Sequence, residues 1–269
     1  MKITLDVTGS PEQNAAEYYS KARKLKEKAD GARKALAITQ KQIESEKNRE
    51  KFEPEKANTN GTENEKPRIR IKRQAEWFER FRWFFTSNGL LAIGGRDASQ
   101  NETAFKAHAE AGKDLFFHAD VHGAPVVILK EGRAKAKEED KRECAQFAVA
   151  YSSAWKNGFG SADAYCLPVE NVSKSAKAGE YVSKGGFVMD GKREWFRNTE
   201  LKLEIGIDER GRVRSQPAIC RGEMKNKIVL VPGRREKGDI AKEMKKVIGA
   251  DSIDGILLVL PAGKSETEK

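Results

Sequence analysis

From Ala15 to Ile43 the apolar side chains return every three or four positions: Ala15, Tyr18, Ala22, Leu25, Ala29, Ala32, Leu36 and Ile43, with Thr39 filling the one gap. That is the heptad spacing of a helix that buries one stripe against a partner. Ser10, Pro11 and Glu12 suit its start: a capping hydroxyl, a proline in the first turn and an acid near the positive helix end. The helix is predicted to run to about Phe52. Its alanine-rich seam lets a partner approach closely, and Gly31 beside it costs about 1 kcal/mol relative to alanine. Residues 53–66 (EPEKANTNGTENEK) carry almost no apolar side chain and read as a solvated loop. After Pro67 a second helix is predicted, with Trp77, Phe81 and Phe84 on one stripe and Phe78 and Phe85 widening it. The pair predicts an antiparallel coiled-coil hairpin over residues 1–86, its first arm longer than its second.

At Thr86-Ser87-Asn88-Gly89 the pattern changes to short apolar runs bounded by glycine and proline. Leu90–Ile93, Leu115–Phe117, Val126–Leu129, Tyr165–Val169, Gly186–Met189, Leu201–Ile207 and Ile228–Val231 read as strands. Three helices interleave. One opens at the capping-box match Ser99-x-x-Glu102 and runs to about Ala111. A second covers 137–156, with Cys144, Phe147, Ala148, Tyr151 and Trp155 on one face, and a third covers 238–248. Residues 87–269 therefore predict an α+β domain, a mixed β-sheet with packed helices, behind the helical hairpin.

Charge changes this picture. Charged residues make up 34% of the 269 positions and apolar residues 38%, with a net charge of +10. An excess of this size favours a polyanionic partner. It is clustered: Lys66, Arg68, Arg70, Lys72, Arg73, Arg80 and Arg82 crowd the predicted second helix, and a run from Arg210 to Lys237 crowds the later strands. No stretch reaches the roughly 18–20 apolar residues that span a bilayer, and the first residues lack a signal peptide's apolar core. Cys144, Cys166 and Cys220 are odd in number and widely spaced, which speaks against a disulfide framework or a zinc site and fits a reducing cytoplasm.

Two turns carry candidate chemistry. In Gly94-Gly95-Arg96-Asp97-Ala98-Ser99 a strand ends in paired glycines and runs straight into a helix start. Free N–H groups there suit a phosphate and Arg96 adds a fork, although a plain strand-to-helix turn would read the same way. In His118-Ala119-Asp120-Val121-His122-Gly123, strand alternation would put His118, Asp120 and His122 on one face. That set could ligate a metal, contact RNA, or fix a turn as a buried polar network. No nucleophile elbow, HExxH or P-loop lysine is present, so neither covalent catalysis nor a cofactor is expected.

The residues that carry a resemblance run in order through 77–263. They are Trp83-Phe84-Phe85-Thr86-Ser87, GGRDASQNE (94–102), FHADVHGAPVVILK (117–130), Val172-Ser173-Lys174-Ser175-Ala176, Gly179-Glu180-Tyr181, Gly186-Phe187, Gly191-Lys192 and Leu260-Pro261-Ala262-Gly263. In these the chain resembles the NFACT-R family, the RNA-binding domain on the C-terminal side of RqcH-type ribosome quality-control factors, in an archaeal-like form. Asn14-Ala15 and Tyr18-Tyr19 are similar to the first arm of that family's coiled coil. Asn171 departs from the pattern, standing where the family usually has glutamine.

The resemblance implies binding to the large ribosomal subunit and to tRNA or rRNA, in the stalled-ribosome rescue pathway and without enzymatic activity of its own. Arg96, Asn101, His118, Asp120 and His122 are then expected to line the RNA-facing surface, with Lys130, Lys174, Lys192 and Arg193 as phosphate contacts. The family's large N-terminal domain is not within these residues, so a separate chain carrying it is an expected partner; the exposed heptads leave a homodimer open. No membrane partner is expected. The competing reading is a metal-dependent hydrolase or nuclease built on His118, Asp120 and His122.

Overall fold

The computed structural model describes residues 75–174 and 185–268, together with Ser10 and scattered positions from Pro11 to Arg33. Two compact units are present, Met1–Ile71 and Lys72–Lys269. In the first, the described positions from Pro11 to Arg33 are helical and exposed, among them Ala15, Tyr18, Ala22, Leu25 and Ala29 of the expected seam. The rest of the seam, the loop 53–66 and the segment 67–74 lie outside the described residues.

The second unit opens differently from the expected helix. Trp77–Arg80 is a single 3-10 turn, and the chain then enters strand β1, Arg82–Phe85. The aromatic stripe read at three-to-four spacing is a two-residue alternation. Phe81 and Trp83 belong to one apolar cluster, Phe84 to the other, and Arg82 stacks on Tyr151 of that second cluster. Residues 77–85 thus fall on the sheet side of the hairpin boundary expected at 86.

β1 leads into β2 (Leu91–Gly94) through the turn Thr86–Gly89, and the two pair antiparallel from Arg82 opposite Gly94 to Phe85 opposite Leu91. Helix α1 (Ala98–His108) follows, then β3 (Leu115–Ala119), β4 (Val127–Leu129), the short α2 (Gly132–Lys135), α3 (Glu138–Ala150), the short α4 (Ser153–Lys156) and β5 (Ser161–Pro168). A small ribbon pairs β6 (Val172–Ser173) with β7 (Val188–Met189), and β8 (Glu194–Glu200) completes a six-stranded sheet in the order β1-β2-β4-β3-β5-β8. β9 (Leu203–Ile207), β10 (Val213–Pro217), β11 (Lys225–Arg235) and β12 (Ser265–Thr267) form a second sheet in the order β10-β9-β11-β12. Helices α5 (Lys237–Ile248) and α6 (Ile253–Val259) sit between its last two strands in sequence. The fold is α+β, as the alternating runs predict, but among the described residues every strand pair is antiparallel, where the sequence predicts a mixed sheet.

Alternation along the central strands divides the core. Ile93, Phe116, Ile128 and Leu167 face α1 and its Ala104, while Ala92, Phe117, Val127 and Leu129 face α3 and its Phe147. The α3 face is continuous with Leu203, Ile205 and Leu230 of the second sheet, so both sheets share one core. The helix read over 137–156 is two helices. Ser152 caps α4, its hydroxyl accepting from the Ala154 N–H at 3.2 Å, and the chain turns there. Cys144, Cys166 and Cys220 are all buried free thiols. Burial pushes Cys144 well above the usual thiol range, Cys166 to about 12 and Cys220 to about 11.

Candidate nucleic-acid interface

The two turns singled out above open into one cavity of about 460 Å³. Its walls are the Gly95–Ala98 turn, the Val121–Pro125 loop after β3, His118, the strand residue Arg82, Tyr151, and the segment Gly185–Met189. Sheet pairing is what joins them: β2 and β3 both pair with β4, so the loops at their ends emerge side by side. Asn101 fastens them together, its carboxamide oxygen accepting from the Val126 N–H at 3.1 Å, while the Gly95 N–H donates to the Val126 carbonyl at 3.1 Å. A side chain on Gly95 would run into Asn101, so glycine is required for this approach.

Helix α1 is capped by Asp97, not by Ser99. The Asp97 carboxylate accepts from the Gln100 N–H at 2.9 Å, and the Gln100 side-chain oxygen accepts from the Arg96 N–H at 3.2 Å. An acid two positions earlier than the expected cap meets the helix's positive end better than a hydroxyl.

Arg82 and Arg96 form a reciprocal clasp. Arg82 donates to the Gly95 carbonyl at 3.1 Å, and Arg96 donates to the Phe81 carbonyl at 3.2 Å. The Arg82 guanidinium lies 4.3 Å from the centre of the Tyr151 ring, whose hydroxyl is held by the Val259 carbonyl at 2.5 Å and Ser215 at 2.6 Å. Burial lowers the Arg82 pKa, and the neighbouring Arg96 charge pushes the same way. The Nε atoms of both arginines are buried without a hydrogen-bond partner, and among the described residues neither guanidinium forms a salt bridge.

The other expected site residues divide. His118 and His122 line the cavity. Burial lowers the His118 pKa below the usual imidazole value and Arg193 adds to this, outweighing the opposing pull of nearby carbonyls and Asp120. Phe116 and Tyr165 flank its ring. Asp120 and Arg193 are not in the cavity wall, and the Arg193 guanidinium sits 4.6 Å from the Tyr165 ring centre. Lys192 is exposed and also outside the wall. β3 ends at Ala119, so the strand alternation that would align His118, Asp120 and His122 stops before Asp120. Among the described residues no group of three or more His, Cys, Asp or Glu could hold a metal, and the metal-hydrolase reading loses its centre.

Two lysines expected to contact phosphate are committed elsewhere. The Lys130 ammonium donates to Asp114 at 2.5 Å, the His108 carbonyl at 2.6 Å and Glu110 at 3.2 Å, away from the cavity. The Lys174 ammonium donates to Glu102 at 2.8 Å and the Gly186 carbonyl at 3.0 Å. Glu102 also accepts from the Gly185 N–H at 3.0 Å, so the pair latches the Gly185–Met189 wall to α1. These contacts hold the Glu102 carboxyl at about 2, far below the usual range. Gly185, at φ +81°, has its Cα against Ala98 with no room for a side chain. Arg82 and Tyr151 also line the cavity, although the sequence places one among a helix's basic residues and the other on a helix's core face.

Residues 80–191 match the family described as NFACT protein RNA binding domain, and the whole cavity wall, Arg82 to Met189, falls inside that match. This segment is an NFACT RNA-binding domain. The chain is 38% identical over 206 residues to the archaeal Rqc2 homolog aRqcH of Methanocaldococcus jannaschii, covering 74% of this chain and 30% of that protein. It is 30% identical to the ribosome quality control complex subunit NEMF homolog of Drosophila melanogaster, covering 76% and 20% respectively. To ribosome quality control complex subunit 2 of Schizosaccharomyces pombe it is 31% identical, covering 76% and 19%. The chain therefore spans less than a third of the length of these relatives. Among the described residues no helix is long and apolar enough to cross a membrane.

Proposed function

We propose that this chain is an RNA-binding module of ribosome-associated quality control, acting in the cytoplasm on the large ribosomal subunit and tRNA by binding and not by catalysis. The observation that carries the reading is the shared cavity. It brings both glycine-and-histidine turns around two arginines that form no salt bridge among the described residues, with Asp97 as the nearby carboxylate, inside a segment of an RNA-binding family. A half-buried pair of like charges is costly unless an anion joins it, and phosphate matches the guanidinium fork. The N-terminal unit would act as a helical arm that positions the module on the subunit.

Co-sedimentation with large subunits, empty or carrying peptidyl-tRNA, tests this. The full chain is expected to pellet preferentially with obstructed subunits, and a chain lacking residues 1–71 to lose that preference while still binding free tRNA. Raising the salt should weaken tRNA binding with a log–log slope of roughly −0.7 to −0.9 per phosphate contacted. No association with either subunit, together with no binding of free tRNA at low salt, would exclude the reading.

A further inference from the structure

A second cavity, of about 260 Å³, lies on the other side of the arginine clasp. Arg82 and Arg96 line both cavities, so the clasp is the waist between two lobes. The second lobe is bounded by Trp83, Val213 and Arg214 of the strands and by Leu258 and Val259 of α6. Four arginines face it, Arg82, Arg96, Arg212 and Arg214, against the single carboxylate of Glu79.

The donors that lack partners gather here. Among the described residues five buried side-chain nitrogen or oxygen atoms have no hydrogen-bond partner, and three of them are the Nε atoms of Arg82, Arg96 and Arg214. All three residues line the second lobe. Buried N–H groups without an acceptor are costly, and a family of them around one waist points to an acceptor that arrives from outside. Arg212 pairs with Glu79 at 2.7 Å and with Asp208 at 2.6 Å, and Arg214 reaches the same Asp208 at 4.0 Å, which leaves the Arg82–Arg96 waist as the part without a salt bridge among the described residues. The role of Arg212 is to hold the lobe's rim together with Arg214, the two guanidiniums lying 4.9 Å and 4.2 Å from the Trp83 ring centre.

We propose that the two lobes form one groove for a single-stranded RNA step, with one phosphodiester on the Arg82–Arg96 waist and one nucleobase in each lobe. The inference rests on the RNA-binding reading and deepens it. The waist supplies the phosphate contact, because each guanidinium spends only one described hydrogen bond on the protein and keeps its remaining N–H groups. The first lobe offers Phe187 and Met189 as an apolar wall and the Asp97 carboxylate as an acceptor for a ribose hydroxyl or base amino group. The second offers the apolar wall of Val213, Leu258 and Val259 beside Trp83. Two pockets of this size, split by a cationic waist, suit splayed bases of a single strand and not the paired bases of a duplex.

Fluorescence anisotropy with a labelled single-stranded RNA of about ten nucleotides tests the groove on the full chain. The competitors are a dinucleoside monophosphate, a mononucleotide, a hairpin duplex of the same composition and a short polyglutamate peptide. The dinucleoside monophosphate is expected to compete about ten-fold better than the mononucleotide, and better than the duplex or the peptide. Leu258→Glu, at a position 56% exposed and so safe for folding, places a negative charge in the second lobe. It should weaken single-stranded binding about ten-fold with an unchanged melting temperature. Arg96→Gln should do the same by removing the fork at the waist. Equal competition by mono- and dinucleotide, equal competition by the acidic peptide, or wild-type binding by the Leu258→Glu protein would overturn the groove. If wild-type protein binds tRNA while these outcomes appear, the groove alone fails; if it binds no RNA, the functional reading fails with it.

Discussion

Lys130 shows how far a residue's type can mislead about its task. In sequence it is a lysine at the end of an apolar run beside a histidine motif, a natural phosphate contact. In the fold its ammonium is the cation of a sealed corner. Asp114, fully buried, accepts from Lys130 and from the N–H groups of Glu110 and Glu131, at 2.8 Å each for the two amides. Removing the lysine would leave that carboxylate buried and unpaired. Lys130→Ala is therefore expected to cost about 3–5 kcal/mol of stability, read by chemical denaturation, with no loss of RNA affinity in protein that remains folded. A stable variant with weakened RNA binding would reverse this assignment. That the two glycine-and-histidine turns stand out was legible in their spacing, and the fold brings them to one cavity. The tasks of Lys130 and Lys174 were not legible, because the carboxylates that claim them, Asp114 and Glu102, lie 16 and 72 positions away.

Among the elements, the strands that read clearly were those with apolar side chains on both faces. β2, β3, β4, β5, β9 and β11 all fall on predicted runs; the first four are covered by α1 on one side and α3 on the other and so carry an unbroken apolar signal. β1, β8 and β10 were missed because charged residues interrupt them, as Arg82 does in Arg82-Trp83-Phe84-Phe85. The same four residues fit a helical stripe, and the choice between periods was made by pairing with β2, which no local pattern reports. Helix starts give a sharper test. Asp97→Ala should lower stability by about 1 kcal/mol through loss of the Gln100 contact. Ser99→Ala, at an exposed position within the helix, should leave the melting temperature nearly unchanged. Equal effects of the two substitutions would mean that the cap has been misplaced.

For the molecule as a whole, the excess of +10 describes the balance of charge and not its availability. Much of the basic run near the end of the chain is spoken for: Arg212 by Glu79, Arg221 by Glu139, Lys227 by Glu204 and Arg235 by Glu243. What sets the cavity apart is that, among the described residues, Arg82 and Arg96 form no salt bridge of this kind. Acidity acts on the same balance. His118 and His108 both have pKa values lowered from 6.5, chiefly by burial, so the unfolded chain takes up protons before the folded one. Their stabilising contribution is complete above about 6.5 and is lost as the pH falls through their folded values. Glu102 works in the same direction further down, contributing above its unfolded value of 4.5 and losing that contribution as the pH falls toward about 2. Thermal melts should accordingly show a lower midpoint at pH 5 than at pH 7. His118→Gln should shrink that difference, and a larger difference in the variant would contradict the assignment.

The three interior thiols carry a practical consequence. With Cys144, Cys166 and Cys220 sealed in the core and their ionisation pushed up, the native protein offers alkylating dyes almost no nucleophile. A cysteine introduced on the rim of the second lobe, by Leu258→Cys, would take a fluorophore alone on an otherwise silent background. Arrival of an RNA strand could then be watched by emission at a single attachment point, without first stripping the chain of its own sulfur.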